Sequence, residues 1–138
     1  MNMSSHNTSS ETPLAFSAVY RLNPGAQDGM SSLVAEYVDA VRAAGPSTLA
    51  LSAGLNDAGT TLAISVLHAD TNAMEEHLVA VAPFIERSFQ LAAVETITVV
   101  GTPGPRLSAA LEANGAAGAK VAVVECDGGF IGSRIAAR

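Results

Sequence analysis

Apolar side chains recur at every second position from Leu14 to Leu22, with Phe16, Ala18, Tyr20 and Leu22 on one side, and that period predicts a β-strand. Asn23-Pro24-Gly25 breaks the strand, and the period then changes. Met30, Leu33, Val34, Tyr37, Val38 and Val41 form one stripe at helical spacing, leaving Ser31, Glu36, Asp39 and Arg42 to water. Gly45 and Pro46 stop the helix. Alternation returns at Leu49, Leu51, Ala53 and Leu55, and again at Leu62, Ile64 and Val66. The turn residues Asn56 to Gly59 lie between them, so the two runs predict an antiparallel hairpin.

A second helix follows. Asp70 or Thr71 suits its N-cap, Glu75 and Glu76 are expected in its first turn, and Met74, Leu78 and Val81 are expected to face the core. Pro83 removes a backbone donor, so a break is expected near Ala82, with a short continuation through Ile85 to Phe89. Val94 to Val100 reads as a fourth strand. A short helix carrying Leu107, Ala110 and Leu111 comes next, then a fifth strand from Lys120 to Cys126. The order strand, helix, strand, strand, helix, strand predicts an α+β, ferredoxin-like βαββαβ fold with its helices on one face of the sheet. The closing helix and strand read as a crossover that extends the same sheet. Residues 1–13 are polar, with neither basic start nor apolar centre, and are expected to be a disordered tail rather than a leader, which removes His6 from site reasoning. Residues 14–138 are expected to form one domain, with a core over 14–101 and an extension over 102–138.

Composition adds association to this picture. Of the 138 residues 49% are hydrophobic and 14% charged, so apolar surface is left over that a small monomer rarely exposes. A net charge of −6 opposes nucleic-acid binding, and seven scattered Lys and Arg make no membrane-binding basic patch. No segment approaches the run of ~20 apolar residues that spans a bilayer. Cys126, the single cysteine, forms no internal disulfide; it fits a reducing, cytoplasmic setting and reads as a small buried hydrophobe.

Three stretches carry a family resemblance: "RLNPGAQDGM" from Arg21, the hairpin from Ser47 to His68, and "HADTNAMEEHL" from His68 to Leu78. Over roughly Leu14 to Gly101 the chain resembles the dimeric α/β-barrel superfamily, typified by the antibiotic-biosynthesis monooxygenase-like proteins. In that family an aromatic residue ends the third strand, then come a cap, an Ala, and a His one helical turn later. Ala73 and His77 match this pattern, and His68 stands in place of the aromatic. The resemblance implies a homodimer whose two sheets pack into a barrel, each protomer keeping a cleft between its sheet and helices. In several members that cleft binds a polycyclic phenol or quinol and supports oxygenation without a cofactor. Haem-degrading members use a first-strand Asn, a helix Trp and a later His; here Ala18 and Arg87 occupy two of those places and Trp is absent, so the resemblance argues against that activity.

The candidate residues follow. His77 borders the apolar stripe and is expected either as a general base or hydrogen-bond partner for a phenolic ligand, or as a polar cap on the core bonded to a backbone carbonyl. His68 is expected as a solvated strand-end residue, or else at the mouth of the cleft. Tyr20 and Tyr37 offer hydroxyls to a ligand, Met74 offers a wall, and packing is an equal claim on Tyr37. His68, Asp70, Glu76 and His77 lack the H-x-x-x-H spacing of a helical metal pair, so neither metal nor cofactor is expected. The glycines of Gly128 to Gly132 precede no helix, and "GTPGPR" opens onto a helix N-terminus but loses amide donors to its prolines, so neither reads as a phosphate cradle. No G-x-S-x-G elbow occurs. The expected function is binding of a hydrophobic or aromatic small molecule by a homodimer, with cofactor-independent monooxygenation if the protein is an enzyme. A non-catalytic ligand-binding or stress-associated role is the alternative.

Overall fold

The structure, a computed structural model, describes residues 12–130. The predicted tail and the last glycine of the closing loop therefore lie largely outside the described residues. The elements are β1 (Leu14–Leu22), α1 (Gln27–Ala44), β2 (Thr48–Leu55), β3 (Thr61–His68), α2 (Thr71–Ser88), β4 (Ala92–Val100), α3 (Pro105–Ala116) and β5 (Lys120–Val124). They build one sheet in the order β2-β3-β1-β4-β5. The first four strands are antiparallel neighbours, and β5 pairs parallel to β4, as a crossover through α3 requires. The fold is ferredoxin-like, with an open rather than closed sheet.

Local chemistry sets the boundaries. Gly45, at φ 116°, ends α1 in a backbone state that a side chain resists. In the β2–β3 turn the Asn56 side-chain oxygen accepts from the amides of Thr60 and Thr61 at 2.9 and 3.0 Å. Asp70 caps α2 by accepting from the Ala73 amide at 2.9 Å. The break expected at Pro83 does not occur, and α2 runs unbroken through it. Pro83 and Val79 are both exposed, so the carbonyl that Pro83 cannot serve lies on the solvent side of the helix, where water can reach it.

Register divides the sheet into two faces. Leu14, Ala18, Leu22, Leu62, Val66, Ile97 and Val99 are buried beneath the helices. The opposite face carries Ser17, Ser52, Ala63, Ser65, Thr98 and Ala122, all exposed and all small or uncharged. β2 departs from simple alternation at its start: a bulge inserts Leu49 between Thr48, opposite His68, and Ala50, opposite Leu67. Leu49, expected inward, is 40% exposed, and Thr48 takes the helix-facing place.

The extension belongs to the main core. Leu107 and Leu111 of α3 are buried in one cluster with Leu14, Ala18, Met74, Ile97 and Val99. Glu75 is not in the first turn of its own helix. Its carboxylate accepts instead from the amides of Arg106 and Leu107 at 2.9 and 3.0 Å, so the positive end of α3 is met by an internal anion. Gly104 permits this approach, because a Cβ there would fall 2.6 Å from Glu75 Cδ. β5 stops at Val124, two residues short of the expected Cys126, which is half-buried. No described helix is long and apolar enough to cross a membrane.

Candidate functional site

A cavity of about 90 Å³ lies between the helix-covered face of the sheet and helices α1 and α2. Phe16, Tyr20, Leu62, Ile64 and Val66 form its floor, and Met30, Leu33, Tyr37, Met74, His77, Val81 and Phe84 are among its walls. The lining is almost wholly apolar, with Tyr20, Tyr37, His77 and Ser88 as its polar members. An apolar cavity of ~150 Å³ accommodates a benzene-sized ring. At about 90 Å³ this cavity is smaller, so a ring would fit only with movement of the lining side chains, of which Met30 and Met74 are the most flexible.

Three elements converge on His77. α2 presents it seven percent exposed toward the cavity; the Tyr37 hydroxyl of α1 lies 3.1 Å from Nε2, and the Thr48 hydroxyl of β2 lies 3.5 Å from Nδ1. Tyr37 also meets His77 edge-on, with ring centroids 6.0 Å apart, and Phe84 in the same manner at 6.1 Å. His77 is therefore held by side-chain hydroxyls and not, as one expectation had it, by a backbone carbonyl.

His68 corrects a second expectation. It is fully buried rather than solvated, and its ring centroid lies 4.6 Å from that of His77. Neither of its ring nitrogens has a hydrogen-bond partner. The Ser47 backbone is near enough to favour the charged form without hydrogen-bond geometry. His68 is absent from the cavity lining, so it backs the site rather than guarding its mouth. A residue that ends β3 and one in α2 meet because the chain doubles back through the Asp70 cap.

Burial sets the protonation states. Desolvation, and then the neighbouring His68, lowers the His77 pKa from 6.5 to about 4. Desolvation likewise lowers that of His68, partly offset by the Ser47 backbone and the Asp70 charge. Burial pushes the Tyr37 and Tyr20 hydroxyls above their ordinary range, and for Tyr37 nearby Tyr20 adds to the effect. At neutral pH the site thus holds neutral imidazoles and protonated phenols. Such a set offers hydrogen bonds and a proton acceptor without fixed charge.

Of the expected residues, Tyr20, Tyr37, Met74 and His77 line one cavity, while Met74, 2% exposed, is equally part of the core. Thr48 was missed. Alternation from Leu49 to Leu55 places Thr48 on the far face, and only the bulge reverses it. Among the described residues no three His, Cys, Asp or Glu side chains gather as metal ligands.

No protein-family model matches the sequence, and no curated protein matches it. Solved structures do. MupZ from Pseudomonas fluorescens superposes with a TM-score of 0.67 at 17% identity, covering 88% of this chain and 96% of that one. SnoaB, a cofactor-independent oxygenase from Streptomyces nogalater, gives 0.56 at 15% identity over 67% of this chain and 94% of its own. Rv0793 from Mycobacterium tuberculosis gives 0.58 at 18% over 67% and 97%. The chain has the fold of the antibiotic-biosynthesis monooxygenase-like proteins. Within that fold the likeness to MupZ reaches further, because β1 to β4 alone cannot supply 88% of the chain. At least part of the extension that follows β4 is therefore matched in that structure.

Proposed function

We propose that this chain is a homodimer whose sheet–helix cleft binds a small aromatic molecule of one or two rings, gripping its hydroxyl or oxo group through Tyr37 and His77. The observation that carries this reading is a neutral hydroxyl–imidazole pair set into an otherwise apolar cavity. Ring burial supplies affinity and the pair supplies orientation. Cofactor-independent oxygenation suits the same arrangement. A phenol or enol that gives its proton to the pair becomes electron-rich enough to react with O₂, and a dry cleft protects the intermediate. Likeness of fold to SnoaB, a cofactor-independent oxygenase, supports that chemistry. The small cavity, and the fact that hydroxyls already engage both nitrogens of His77, favour the second reading, a binding protein without catalysis.

The test is titration with 1-naphthol followed by oxygen uptake with a two-ring quinol. Saturable binding is expected, weakening about tenfold or more in Tyr37→Phe and in His77→Ala. If uptake occurs and collapses in His77→Ala, the protein is an oxygenase; unchanged turnover in that variant removes His77 from the mechanism. No binding by the wild type defeats the reading altogether.

The dimer rests on the helix-free face. An antiparallel sheet left to water normally alternates apolar-in with charged-out, yet Ala15, Ser17, Ser52, Ala63, Ser65 and Thr98 carry no charge at the centre of this face. Sedimentation at micromolar concentration is expected to give twice the chain mass, and a single monomeric species would sink the barrel arrangement.

A further inference from the structure

The partners of His77 are of an unusual kind. A buried imidazole is ordinarily oriented by a carboxylate or a backbone carbonyl, which only accepts and so pins one tautomer. Here both ring nitrogens meet hydroxyls, Tyr37 at Nε2 and Thr48 at Nδ1, and a hydroxyl can donate as well as accept. A neutral imidazole carries one N–H and one lone pair, so the two hydroxyls must play opposite parts. In one state Nδ1–H donates to Thr48 Oγ1 and the Tyr37 hydroxyl donates to Nε2. In the other, Nε2–H donates to the Tyr37 oxygen and the Thr48 hydroxyl donates to Nδ1. His68, packed 4.6 Å away, makes no hydrogen bond to either nitrogen and so pins neither tautomer.

The two states present different faces of Tyr37 to the cavity that it lines. In the first, its proton is spent on His77 and its oxygen accepts from a ligand hydroxyl. In the second its proton is free, and it donates to a ligand carbonyl. Resting on the ligand-binding reading above, we propose that Tyr37 is the group that touches the ligand. Thr48 is the positioning residue that lets His77 change tautomer, so one site takes both a hydroxy-substituted ring and its oxo counterpart. The exchange moves only protons, leaves the net charge unchanged and makes or breaks no bond to carbon. A site with this property has a hydrogen-bonding arrangement for each member of a hydroxy/oxo pair.

Replacing Thr48 separates the states. In Thr48→Val the Nδ1 partner is gone, and a buried orphan N–H is tolerated less well than an orphan lone pair. His77 then keeps its proton on Nε2 and donates to Tyr37, whose own proton serves the ligand. Matched two-ring probes, 1-naphthol and 1-tetralone, read this out. In Thr48→Val the affinity for 1-tetralone is expected to hold while that for 1-naphthol falls about fivefold, and Thr48→Ser is expected to restore the wild-type ratio. Long-range ¹⁵N–¹H spectra of the imidazoles, taken without ligand, are expected to show both tautomers of His77 in the wild type and the Nε2–H form alone in Thr48→Val. Equal loss for both probes, or an unchanged ratio, makes Thr48 a purely structural residue and overturns the proposal alone. If the wild type binds neither probe, the ligand-binding reading falls and takes this one with it.

Discussion

Acidification from pH 7 to pH 4 is expected to strip this protein of about 3 kcal/mol of folding stability through His77 alone. The unfolded imidazole titrates at 6.5 and the folded one at about 4, because burial and the neighbouring His68 disfavour its charge. A pKa lowered by folding means that the unfolded chain binds the proton more readily throughout that interval. Stability is therefore complete above about pH 6.5 and falls as pH drops toward the folded value, at about 1.4 kcal/mol per unit. His68, also lowered by burial, adds in the same direction. Urea unfolding midpoints measured at intervals from pH 7.5 to 4 check this, with His77→Gln expected to show the shallower dependence. Parallel curves for the two proteins would mean that His77 is solvated or paired with an anion in the fold.

The same histidines show where sequence reading stops. Strand and helix periods were legible from Phe16 to Val41 because each buried position there answers to a regular spacing. The hairpin register was legible because Asn56 to Gly59 permits one tight turn. Two readings failed for local reasons. Pro83 predicts a break by its missing donor, yet the affected carbonyl faces water, which alternation and propensity do not report. The Leu49 bulge inverts Thr48, and nothing in the residues from Ser47 to Leu51 distinguishes a bulged start from a straight one. Contact between His68 and His77 depends on how sharply the chain reverses at Asp70, a property of tertiary packing. The candidate site was thus half visible: Tyr37 and His77 by type and spacing, their hydroxyl-to-imidazole pairing and the part of Thr48 only in three dimensions.

Leu107→Ala is expected to cost about 2–5 kcal/mol, the range for a fully buried leucine whose surroundings cannot collapse into the space left. Leu107 is 1% exposed and lies in the cluster that holds Leu14, Met74 and Val99. Its neighbours there come from β1, α2 and β4, so no single segment can shift to fill the void. Val124→Ala, at 48% exposure on the edge strand of the same extension, is the control, with an expected change under about 1 kcal/mol. Thermal or urea unfolding of the two variants decides whether α3 is an accessory or a wall of the core; equal, small effects would make it an accessory. A large effect at Leu107 would reach the cleft as well, since Met74 packs in that cluster and lines the cavity. The extension would then be part of what shapes the site, because Leu107 braces the face of Met74 that backs the cavity wall.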